Sequence, residues 1–185
     1  RSSKFKILYS GNIGEKQDWL FFVKFANELQ KEVNLEIVLV GNGGKRGWVE
    51  QELKTMNNVS LHDPVPYEDL SDLLCSADLH ILFQKNNVID TVMPSKILAM
   101  MASQRPSLIT GNLKSEVASI LKESKGGAYF EADDFKGVLN FVSVLRKDKD
   151  LRNEYGFNAR NFVSLNFSKE ELLNKFKATF NDLIP

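Results

Sequence analysis

The chain has 185 residues, 43% of them hydrophobic and 26% charged, with 24 Lys and Arg balanced by 24 Asp and Glu. That size suits one compact domain with a substantial core. The zero net charge excludes a protein that holds DNA or RNA by bulk electrostatics, though not one with a local anion site. One cysteine, Cys75, excludes a disulfide framework and a cysteine metal cluster and fits a reducing cytoplasm, and no apolar run has the length of a membrane span.

In chain order, FKILYS (5–10) reads as a buried strand ending at a glycine, and QDWLFFVKFANELQKE (17–32) carries apolar residues at helical spacing. LEIVLVG (35–41) is a second buried strand, NGGKRG a turn, WVEQELKTM a short helix and VSLHD (59–63) a third strand. YEDLSDLLCSA (67–77) predicts a helix, DLHILFQ (78–84) a strand, residues 94–104 a helix and PSLIT (106–110) a strand. KSEVASILKES then predicts a helix and GGAYFE a last strand; beyond residue 133 three helical segments follow, with no repeat and no linker. Strands that are continuous apolar runs, alternating with helices, predict a parallel sheet covered on both faces: a Rossmann-like, doubly wound α/β domain with C-terminal helices. One domain over 1–185 is expected, its helical tail spanning about 134–185. Its start at Arg1 without Met or signal peptide suggests a piece of a longer protein.

Ligands of open α/β sheets bind beyond the carboxyl ends of the strands. Four unusual stretches fall there: SGNIGEKQ (10–17), GNGGKRG (41–47), QKNNVID (84–90) and TGNLKSE (110–116). Any one glycine among them is explained as readily by a tight turn, and any one lysine by solvation. Their convergence with TVMPSK (91–96) on one edge points to an anion. That helix starts at Pro94-Ser95-Lys96 behind Met93, which has no side-chain oxygen to cap it. Either Ser95 caps it one residue late, or phosphate oxygens accept from its free amides.

Other chemistries lack their residues. There is no GxxxxGK[ST] loop, no GxGxxG after the first strand, no metal spacing around His62 and His80, and no Ser-His-Asp set. Asp148 and Asp150 form a DxD, but RKDKDLRN reads as a helix boundary, so they are expected to be helix-end charges.

The succession YSGNIGEKQ, IVLVGNGGKR, VSLHDPVPYEDLSDLLCSADLHILF, MPSKILAMMASQRPSLI, GGAYFEADD and LRNEYGFNARNFV resembles the C-terminal, donor-binding half of a GT-B glycosyltransferase of the group 1 family. Within that family it is similar to the retaining, metal-independent enzymes of bacterial capsule, O-antigen and exopolysaccharide synthesis, such as colanic-acid and N-acetylfucosamine transferases. The resemblance implies a nucleotide-diphosphate sugar as donor substrate, no cofactor, no metal and no nucleic-acid partner. It also implies an N-terminal acceptor domain outside this chain, onto which FSKEELLNKFKATFNDLI would cross and through which a membrane face would be contacted.

Position by position, the resemblance puts Asn12, Gly14, Lys16 and Gln17 in the loop that grips the diphosphate, with Asn12 where relatives carry Arg and Gln17 where they carry Lys. It puts Gly43, Lys45 and Arg46 in the loop under the nucleotide, DPVPYEDL (63–70) near the base, and Pro94, Ser95 and Lys96 at the helix start facing the diphosphate. Two glutamates customary in relatives are absent: only Asp90 stands near the first, as a candidate catalytic sugar contact, and Ala99 occupies the second. Gln104 replaces a customary glycine. The implied reaction transfers a sugar to a glycan or lipid-linked hydroxyl in cell-surface polysaccharide synthesis, with helix amides and lysines stabilising the leaving diphosphate. The isolated half should bind donor without turnover. Two alternatives stay open: one half of a nucleotide-sugar epimerase, and a non-catalytic sugar-nucleotide-binding module.

Overall fold

The computed structural model describes residues 4–88 and 95–183. Its strands are β1 (Phe5–Ser10), β2 (Leu35–Val40), β3 (Val59–His62), β4 (Leu79–Phe83), β5 (Ser107–Gly111) and β6 (Gly127–Glu131). They form one parallel sheet in the order β3-β2-β1-β4-β5-β6. Between them run α1 (Trp19–Glu28), α2 (Arg46–Leu53), α3 (Leu70–Cys75), α4 (Ser95–Ala102) and α5 (Glu116–Ser124). The helices α6 (Phe135–Lys147), α7 (Lys149–Asn166) and α8 (Lys169–Leu183) close the chain.

The pleat of β1 and β2 sorts side chains to the two faces. Ile7, Tyr9, Ile37 and Leu39 join a large core with Phe22 and Phe25 of α1, whereas Leu8 and Val40 join a smaller core with Leu74 and Ala77. Aromatic rings stiffen the first: Phe83 of β4 lies edge-on to Phe21 and Phe25, at centroid separations of 4.9 and 5.1 Å. The strand order reverses between β1 and β4, so the chain ends of these two adjacent strands open onto the topological switch point.

Several boundaries differ from the sequence reading, for local reasons. Helix α1 starts at Trp19, because the Asp18 carboxylate accepts from the Phe21 amide at 2.9 Å and caps it there. Helix α2 begins at Arg46, inside the expected turn, and residues 67–77 divide into a 3₁₀ turn (Tyr67–Asp69) and α3. Asp148 caps α7, accepting from the Leu151 amide at 2.9 Å, which accounts for half of the DxD as a helix-end charge. The tail is no separate layer. Helix α7 packs on α4, α5 and α6, so closely that a Cβ on Gly156 would collide with the Gln104 carbonyl. Gln104 has φ +60°, the left-handed conformation that glycine adopts most readily, at the position where the resemblance implies a glycine. No helix among the described residues is long and apolar enough to cross a membrane.

Candidate functional site

The loop after β1 and the loop after β2 are joined backbone to backbone. The Gly11 amide donates to the Val40 carbonyl, the Ile13 amide to Asn42 and the Lys45 amide to Ile13, at 2.8–2.9 Å. Gly41 is required by contact: any Cβ there would overlap the Gly11 carbonyl oxygen. Gly43 is required by conformation as well, with φ +153° and the Asn12 side chain against its Cα. The first loop is also pinned on its other side. The Asp18 amide donates to the Phe83 carbonyl at 2.9 Å, the Lys85 amide donates to Lys16 at 3.1 Å, and Gln17 pairs with Gln84 in an antiparallel bridge.

Lys96, in the first turn of α4, reaches back across the switch point to the end of β1. Its Nζ donates to the Tyr9 hydroxyl at 3.3 Å and lies 4.5 Å from the Tyr9 ring centroid. A Cβ on Gly11 would sit 2.5 Å from that nitrogen, so the ammonium rests against the bare backbone of the first loop. No carboxylate among the described residues pairs with it, and burial lowers its pKa to about 8. Tyr9 donates onward to the Asn12 carbonyl at 2.5 Å, and burial raises the pKa of its phenol. Among the described residues no opposite charge offsets the burial of this ammonium, and an anion beside it would.

The remaining expected residues divide into two groups. Gln17 turns inward: its Oε1 accepts from the Gly14 amide at 3.2 Å, and the Gly14 carbonyl accepts from the Trp19 indole at 2.8 Å. Arg46 also faces the protein, where its guanidinium donates to the carbonyls of Gly41 and His62 and pairs with Asp63 at 2.9 Å. It therefore ties the end of β2 to the end of β3. Asn12 and Lys16 are exposed on the rim, and Lys45, half-buried, pairs with Glu15 at 3.0 Å. Asp90 and Pro94 lie outside the described residues, and Ser95 opens α4.

Two features escaped the sequence reading. Tyr9, a strand residue, is the seat of Lys96, which only the adjacency of β1 and β4 brings about. Glu15 bridges Lys45 and Lys85, the second at 3.8 Å, beside a cleft of about 340 Å³. His80 has no part in the rim. It is buried in β4 with Nε2 2.9 Å from the Ser103 hydroxyl, and burial, aided by the nearby Arg105 charge, lowers its pKa to about 3. No group of three His, Cys, Asp or Glu among the described residues could hold a metal ion.

The fold is thus that of a doubly wound α/β domain, whose switch-point rim brings glycine backbone next to a buried ammonium that no carboxylate among the described residues pairs. The chain belongs to the family of glycosyl transferases group 1, whose model matches residues 4–148. It is 29% identical over 172 residues to WcaI of Escherichia coli K12, named as a colanic acid biosynthesis glycosyl transferase. That match covers 92% of this chain and 41% of WcaI, so the chain spans less than half the length of that relative. Its fold matches that of an S. aureus TarM variant solved with fondaparinux, α-GlcNAc-glycerol and UDP, at a TM-score of 0.82 and 16% identity over 97% of this chain and 36% of that one. It likewise matches the C-terminal domain of the Francisella tularensis group 1 protein LpcC, at a TM-score of 0.70 and 15% identity, covering 89% of this chain and 87% of that one.

Proposed function

We propose that this chain is the donor-binding half of a glycosyltransferase and that it takes a nucleotide-diphosphate sugar at the β1–β4 switch point. The observation that carries this reading is Lys96, enclosed against the bare backbone of Gly11 with no carboxylate partner among the described residues. A diphosphate seated there would accept from Lys96 and from the first amides of α4, whose dipole favours negative charge. Asn12, Gly14 and Lys16 would line the first loop beside it, and Gly43 and Lys45 the second. Arg46 and Gln17 would act from behind, holding those loops in place. Pro94 and Ser95 would belong to the same helix start, and Asp90 would face the sugar. As the glycosidic bond breaks, charge grows on the leaving diphosphate, and the same donors would stabilise it more strongly than they do the bound donor.

The rest of the enzyme would supply the acceptor site, for a glycan or lipid-linked hydroxyl in cell-surface polysaccharide synthesis, and any contact with the cytoplasmic face of a membrane. The share of WcaI that the chain covers and its likeness to a domain described as C-terminal support this division. UDP in the TarM crystal favours a uridine donor.

Calorimetric titration of the chain with UDP, GDP and their sugar conjugates tests the reading. One nucleotide diphosphate should bind, and Lys96→Ala should weaken it by about 10- to 100-fold, the range for a hydrogen bond between charged groups. Binding that is indifferent to Lys96→Ala, or no binding by the folded chain, would overturn it.

A further inference from the structure

Tyr9 stands where three parts of the rim meet: the end of β1, the first loop and the first turn of α4. Its ring belongs to the large core, edge-on to Trp19 at a centroid separation of 5.1 Å. Its hydroxyl emerges at the carboxyl end of the strand, where it accepts from the Lys96 ammonium at 3.3 Å and donates to the Asn12 carbonyl at 2.5 Å. Phenylalanine would fill the same core without a hydroxyl to desolvate, so the packing does not account for the phenol. The bond it makes to Asn12 draws density from its oxygen's hydrogen and makes that oxygen a better acceptor for Lys96. Trp19 holds the same loop from inside, its indole donating to the Gly14 carbonyl at 2.8 Å. No other group among the described residues answers the ammonium. The first turn of α4 has no acidic residue, Glu15 is engaged with Lys45 and Lys85, and the Asp18 carboxylate caps α1. A lysine has a long flexible stem, so an acceptor and a ring face are what fix the place of its charge.

We propose that Tyr9 is a positioning residue of the donor site: its hydroxyl holds the Lys96 ammonium charged at the switch point and ties it to the first loop. The role rests on the donor reading, in which Lys96 meets the diphosphate, and adds to it a residue that itself touches no ligand. The phenol keeps its proton throughout, shared with the Asn12 carbonyl, and meets the ammonium with an oxygen lone pair.

Carbon-13 magnetic resonance at the Lys96 Cε, followed against pH in the wild type and in Tyr9→Phe, tests it. Phenylalanine keeps the ring face and removes only the acceptor, so the Lys96 midpoint should fall by about one pH unit, the size of one hydrogen bond to a charged group. Calorimetry with UDP reads the consequence. Tyr9→Phe should bind about fivefold more weakly than the wild type at pH 8 and return to within about twofold of it at pH 6, where Lys96 is charged in both. A loosened fold would weaken binding alike at both pH values. In a Lys96→Met background, Tyr9→Phe should leave UDP affinity unchanged, because the partner it acts through is gone. An unmoved Lys96 midpoint, an equal loss of affinity at pH 6 and pH 8, or the same loss in the Lys96→Met background would each overturn the role of Tyr9. A wild-type chain that binds no UDP while Tyr9→Phe still lowers the Lys96 midpoint strikes the donor reading, and not the hold of Tyr9 on Lys96.

Discussion

The Lys96 ammonium lies 4.5 Å above the centre of the Tyr9 ring, held there by the Tyr9 hydroxyl and enclosed by the end of β1. Burial brings its pKa down from 10.5 to about 8, so its charge is variable near neutral pH. A bound diphosphate favours the charged form and raises that pKa again. Nucleotide affinity is therefore expected to be steady below pH 8 and to fall as pH rises past it. Calorimetry at pH 8 in buffers of different ionisation enthalpy should register proton uptake on binding, and Lys96→Met should abolish the uptake.

The same shift acts on stability with the opposite tendency. Between about pH 8 and 10.5 the unfolded chain holds a proton on Lys96 that the folded chain has released, so stability rises with pH across that window. The cost of burying the charge is fully present below pH 8. Urea unfolding should show Lys96→Met gaining on the wild type at pH 7, with the gap closing towards pH 10.5.

His80 gives the acid limb. With its pKa lowered from 6.5 to about 3 by burial, the unfolded chain binds a proton first as pH falls, and stability is lost from about pH 6.5 down towards 3. Replacing the imidazole by a neutral amide, His80→Gln, should cost stability at pH 7 through the lost Ser103 contact and should flatten the decline between pH 6 and 4. Thermal melts across that range make the comparison.

Two glycines of the loop after β2 should respond very differently to an added methyl group. Gly41→Ala forces a Cβ into the Gly11 carbonyl and is expected to cost at least about 3 kcal/mol, beyond ordinary overpacking. Gly44→Ala, three positions on but with open space at its Cα, should stay within about 0.5 kcal/mol. Denaturant midpoints of the two variants decide it.

Gln104 sits at φ +60° with an exposed side chain, where a side chain costs roughly 1–2 kcal/mol that glycine avoids. After the extra backbone entropy of glycine in the unfolded chain, Gln104→Gly should stabilise the protein by up to about 1 kcal/mol, read as a higher urea midpoint.

The central strands were legible because they are apolar runs stopped by a glycine or a polar turn, and because parallel strands buried on both faces need no alternation; β3, at the sheet edge, instead alternates, with Ser60 and His62 exposed. FKILYS and LEIVLV pair in register along their whole length. Helix ends were less legible. Asp18 as a cap moves the start of α1 by two residues, and Arg46 enters α2 because its amide already donates to the Gly43 carbonyl and the Val49 amide to Lys45. At the rim, the glycines and lysines could be placed on one edge from the sequence, but not their partners. Whether Arg46 faces a ligand or the protein depends on where the His62 carbonyl and the Asp63 carboxylate lie, 16 and 17 positions on. Glu15 meets Lys45 and Lys85 only because the first loop is held between the ends of β2 and β4.

The backbone bonds that join residues 11–13 to residues 40–45 leave neither loop free to change its length alone. An insertion after Gly11 would shift Ile13 away from both Asn42 and Lys45, and would need a matching insertion after Gly41 to restore them. Loop grafting from another protein of this fold is thus a transplant of two pieces at once, and a chimera that exchanges only one should arrive with its rim unlaced.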